Sequence, residues 1–180
     1  MMNRLLPVTG HQGSSPGGGV SPLLGIYLND HLAAATAGAG RARHMVRSYR
    51  GSALAAALEP LAADLAEDRA ALLDIMRRLG IPVRQYKVYA GRAAERAGRF
   101  KANGRLVRRS PLTPLVEVEA LRLGVAGKVA AWRALRELAD GGEERLDADL
   151  LDGLLERARR QRDALEELRR RQVVTAFREQ

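Results

Sequence analysis

An all-α bundle of four helices, paired into two hairpins and joined by one long basic crossover, is predicted by three features of this 180-residue sequence. Apolar residues recur every three or four positions through four long stretches, which is the spacing of one helix face. Hydrophobic residues reach 46% while aromatics stay at 4%, and much of the hydrophobic share is alanine. That balance suits helices packed through small side chains, not a sheet built on Val, Tyr and Phe. Ser-Pro, Gly-Gly and Gly-Ile-Pro signals fall between the stretches, where helices start and stop. The length fits one domain with a substantial core, expected over residues 21–180.

Residues 1–20, MMNRLLPVTGHQGSSPGGGV, combine Gly, Ser and Pro with almost no charge, so a disordered tail is expected. Arg4 is followed only by Leu5, Leu6, Pro7 and Val8, too brief a run for a signal-peptide core. No run approaches the ~20 apolar residues of a transmembrane helix. The chain reads as soluble and cytoplasmic.

Ser21-Pro22 opens helix A, expected over 22–50, with Leu24, Leu28, Ala35, Ala39 or Ala42, Met45 and Tyr49 inward and His31 on the same side. Gly38 and Gly40 within it predict a close approach of another helix or a bulky side chain. Ser52 opens helix B, 53–80, which ends at Gly80-Ile81-Pro82. Pro60 predicts either a kink or a separate first segment. Its stripe, Leu54, Leu58, Leu61, Leu65, Leu72, Met76 and Leu79, also carries Asp68, a carboxylate that needs a partner in that register.

The crossover, 81–113, includes a short amphipathic helix at about 85–101, with Tyr86, Tyr89, Ala93, Ala97 and Phe100 on one face. At that length it must span the bundle. Helix C, 114–140, turns Leu115, Val118, Leu121, Val125, Val129, Trp132 and Leu135 inward, with Gly124 and Gly127 read as a second close approach. Helix D, 148–177, uses Leu151, Leu154, Leu155, Ala158, Leu165 and Leu168, with Gln161 where the pattern expects Leu. Its other face, including Arg157, is dense in charge and reads as solvated.

Charge is concentrated in one place. Arg84, Lys87, Arg92, Arg96, Arg99, Lys101, Arg105, Arg108 and Arg109 face the single acid Glu95, a local net of +8 in a chain of +9. Three readings stay open for this segment. It lays its aromatics on the bundle and holds its arginines in water; or it binds phosphates of a nucleic acid at low salt without sequence choice; or it binds an anionic membrane surface. Arg outnumbers Lys 27 to 3, which together with the abundance of Ala and Gly fits a high-GC genome.

Two hairpins with short turns at Gly51-Ser52 and Gly141-Gly142, joined by a long connection, resemble the ferritin-like four-helix bundle over roughly residues 21–178. LNDH in helix A, LAEDRAALLDIM in helix B and RARRQRDALEELRRR in helix D are similar to segments of small uncharacterised bacterial ferritin-like proteins. That resemblance implies a di-metal centre built from two Glu and two Glu-x-x-His pairs. The sequence departs from it: Glu67 and Asp68 are followed at the third position by Ala70 and Ala71, and Glu156 and Glu166 by Arg159 and Arg169. No cofactor or metal is therefore expected. The inward polar residues, one per helix (His31, Asp68, Glu119 and Gln161), read as a hydrogen-bonded layer that fixes helix register, with a degenerate metal site as the alternative.

The absence of cysteine excludes disulfides, thiolate metal sites and a cysteine nucleophile. No Gly-x-Gly-x-x-Gly, P-loop or Gly-x-Ser-x-Gly motif occurs, and no reaction is assigned. The expected role is a non-catalytic binding or interaction protein. The small-residue faces of helices A and C leave room for a homodimer.

Overall fold

The computed structural model describes residues 20–84, 110 and 112–178, and these contain four helices and no strand. They are α1 (Pro22–Ser48), α2 (Ala53–Arg78), α3 (Leu112–Asp140) and α4 (Ala148–Arg178). The expected tail up to residue 19 and the short helix expected at about 85–101 lie outside the described residues. Val20, expected in the tail, packs against the core.

The ends of the helices follow local chemistry. Ser21 caps α1 by accepting the Leu23 N–H at 3.3 Å, and Ser52 caps α2 by accepting from Ala55 at 3.2 Å. Ser110 accepts from the Leu112 N–H at 3.3 Å, so α3 starts two residues earlier than residue 114. Pro114 then falls in the first turn, where no N–H is missed. Asp147 caps α4 through the Leu150 N–H at 3.0 Å. α1 and α2 end two residues before the expected 50 and 80, at Ser48 and Arg78. The turns after α1, α2 and α3 hold Gly51, Gly80 and Gly142 at positive φ (81°, 70° and 94°), which glycine alone adopts readily. Pro60 neither splits nor ends α2, which is one helix of 26 residues.

All four helices feed one core. The inward stripes of α2 and α3 are buried throughout, with Leu58, Met76, Val118 and Leu135 completely so. Around the bundle the order is α1, α2, α4, α3: α1 packs on α2 and α3, and α4 packs on α3 and α2. Backbones approach closely within the α1/α2 and α3/α4 hairpins and least along α2/α4, where long side chains span the gap.

Helix directions follow from pairs at the two ends. Tyr49, after α1, bonds Glu117 near the start of α3, and Arg145, after α3, bonds the Leu79 carbonyl after α2. α2 and α3 thus run parallel, and the end of one lies at the opposite end of the bundle from the start of the other. Buried Asn29 holds the chain as it leaves α2: its amide donates to the Pro82 carbonyl at 3.1 Å and its oxygen accepts the Arg84 N–H at 2.6 Å. Among the described residues no helix is long and apolar enough to cross a membrane.

Candidate functional site

Asp68 sits on the inward stripe of α2, seven after Leu61 and four before Leu72, so the helix carries its carboxylate into the core at 2% exposure. A charge there requires compensation. Arg157 of α4 supplies it, with Nε 2.8 Å and Nη2 2.7 Å from Oδ1. Gln161, one turn further along α4, donates from Nε2 to Oδ2 at 2.9 Å. Lys128 of α3 donates to both Asp68 Oδ2 and Gln161 Oε1. Arg157 also reaches Glu67 at 2.7 Å, and Gln161 Nε2 lies 3.4 Å from Asp64. Burial pulls the Lys128 ammonium below its ordinary pKa, and neighbouring Asp68 opposes that pull.

Beside this cluster, between α1 and α3, lies a groove of about 210 Å³ whose lining includes Asp68 and Lys128. Ala34, Ala35 and Gly38 line it from α1, Ala120, Gly124 and Gly127 from α3, and Leu65 and Leu72 from α2. Gly38, Gly124 and Gly127 were expected to mark close helix approaches. The structure corrects this: a Cβ at any of the three would meet nothing within 4 Å. The small residues leave open space beside them, with Gly124 and Gly127 exposed and Gly38 half-buried along the groove.

The four inward residues expected from the sequence have different places. Asp68 and Gln161 meet directly. His31 is on the groove wall, stacked edge-on against Tyr27 with ring centroids 4.4 Å apart. Burial lowers its pKa, against a raising influence from Asp30. Glu119 is half-buried and lies near Arg169 of α4, away from the cluster. The buried carboxylate of α3 is Glu117, which accepts from Tyr49 Oη at 2.8 Å and from Arg41 at 3.4 Å.

Two members of the cluster were not anticipated. Lys128 falls three after Val125 and four before Trp132, so its register already pointed inward. Arg157 was assigned to the solvated face of helix D; it turns inward because Asp68 offers a buried anion within reach. Of the basic segment, Arg84 is exposed and tied to Asn29 through its backbone. Lys87, Arg92, Arg96, Arg99, Lys101, Arg105, Arg108 and Arg109 lie outside the described residues.

Chemically, a carboxylate gripped by two cations is an anchor between helices, joining α2, α3 and α4 at one level. Among the described residues no three His, Asp or Glu side chains gather as a metal centre would require. Compared with known proteins, the chain matches no protein-family model, and no curated protein matches it.

Proposed function

We propose that the chain is a non-catalytic binding protein of ferritin-like layout, whose ligand site is the groove between α1 and α3. The layout is supported by two antiparallel hairpins whose second and third helices run parallel. The observation that carries the binding reading is the open space beside Gly38, Gly124 and Gly127, over a lining that is mostly apolar. Glycine in a helix costs about 1 kcal/mol against alanine. Three glycines along one groove keep it open at that cost, and bundle cores are places where such sites are built.

Toluene is a suitable probe, and Trp132, the single tryptophan of the chain, lines the groove and reports on it. Toluene is expected to change Trp132 emission saturably and to raise the melting temperature. Gly124→Leu, which fills the groove, is expected to abolish both effects. A linear, unsaturable response identical in the two proteins would exclude the groove as a site.

A further inference from the structure

Along its outer side α3 presents Val116, Ala120, Leu123 and Gly127 on successive turns, all of them exposed, with Gly124 next to Leu123. Leu123 is 74% exposed and Val116 55%, so two large apolar side chains stand in water on one helix face. Across the groove stand Ala34, Ala35 and Gly38 of α1. The charges around this face are matched within the chain: Arg122 pairs with Glu166 of α4, and Arg41 with Glu117. Where the groove lining is polar, Asp68 and Lys128 hold each other and are already nearly out of water. Covering them costs little further desolvation.

We propose that this face joins two copies of the chain about a twofold axis, with Leu123 of each copy seated in the α1/α3 groove of the other. This rests on the groove being a binding site and names its partner. An acidic or a basic partner would have to break the pairs at Arg122, Arg41 and Lys128, so an uncharged surface fits better. The face carries its own complement, a protruding leucine beside a hollow edged by small residues. A twofold contact uses one patch twice, so the two features satisfy each other reciprocally. The area is sufficient as well. With 27 residues in α1 and 29 in α3, each helix runs ~40 Å, and the two side by side present ~800 Å², about what each partner gives a standard interface. An apolar middle with ion pairs towards its edges is the usual arrangement of such a contact.

Sedimentation velocity over a dilution series reads the assembly, and the native chain is expected to pass from dimer to monomer. Leu123→Ala removes an exposed side chain and leaves the fold of a single copy alone. It should raise the dissociation constant about tenfold or more. Gly124→Leu, which fills the groove, should weaken the dimer too. Toluene competes with the partner's leucine, so it should shift the native chain towards monomer. The chain has no cysteine, so a single thiol can report on one face at a time. A short bismaleimide should join Ala120→Cys, on the proposed face, into a covalent dimer and should leave Ala66→Cys, exposed on α2, unjoined.

A native chain that stays monomeric throughout the series, while toluene still changes Trp132 emission saturably, would overturn the dimer and leave the groove standing as a ligand site. If the toluene response is missing as well, both readings fall together. A dimer unweakened by Leu123→Ala and Gly124→Leu, or joined through Ala66→Cys and not through Ala120→Cys, would be built on another face and would overturn the proposal. So would a monomer whose melting temperature falls in Leu123→Ala, which would give the face to another segment of the same chain.

Discussion

Asp68 is nearly removed from water, and its two oxygens are divided between Arg157 on one side and Lys128 with Gln161 on the other. The partners are not equivalent. Removing the carboxylate leaves two cations competing for compensation in a poorly solvated place, so Asp68→Ala is expected to cost about 3–5 kcal/mol. Lys128→Met removes one buried charge while Arg157 still holds Asp68, and an apolar chain of similar length fills the space. Its expected cost is under ~2 kcal/mol. Urea unfolding of the two variants measures the difference, and equal losses would mean that Lys128, not Arg157, is the main counter-charge. The partner that Asp68 required was evident from its place on an apolar stripe. Its identity was not, because Arg157 lies among charged neighbours on α4 and sequence order does not say which of them turns inward.

The same limit applies to the glycines at the scale of the helix. A glycine inside a helical pattern signals that a side chain is unwanted, and sequence cannot tell a crowded neighbour from an empty groove. Space decides it here, and the outcome is measurable. Gly38→Ala and Gly124→Ala add a methyl group into open space, so each is expected to stabilise by about 0.5–1 kcal/mol. Gly51→Ala, at φ 81°, is expected to destabilise by ~1–2 kcal/mol. Melting temperatures of opposite sign check the pair.

Between α3 and α4 a second contact has its own signature. Glu166 of α4 meets Arg122 of α3 at 3.0 Å and Arg169 at 2.9 Å. The Arg169 hydrogen bond leads in lowering the Glu166 pKa from 4.5 to about 2, with the Arg122 charge assisting. A carboxylate lowered in the folded state contributes its stability above its unfolded value and loses it as pH falls through its folded value. The native chain should therefore melt higher than Glu166→Gln above pH 4.5, with the gap closing towards pH 2. Salt at about 0.5 M should narrow the gap, since the pair is solvated. A gap independent of pH would show that Glu166 acts through packing alone.

At the scale of the molecule, residues of all four helices join one core, with Trp132 within it, and the Asp68 cluster ties α2 to both helices of the other hairpin. The two hairpins should unfold together. Trp132 emission and far-ultraviolet circular dichroism are expected to give coincident urea transitions, and two separated midpoints would show that the hairpins fold independently. The four long helices among the described residues, their inward faces and the caps at Ser21 and Ser52 could be read from the chain alone, since each depends on residues three or four positions apart. Ser21, Ser52 and the Leu58, Leu65 and Leu72 stripe sit where local periodicity placed them. What surrounds Asp68, why Gly38 and Gly124 lack side chains, and which carboxylate of α3 is buried depend on residues tens of positions apart in sequence. Those pairings exist only once the hairpins are set side by side, and it was their packing that selected Arg157, Lys128 and Glu117 and left a groove between α1 and α3.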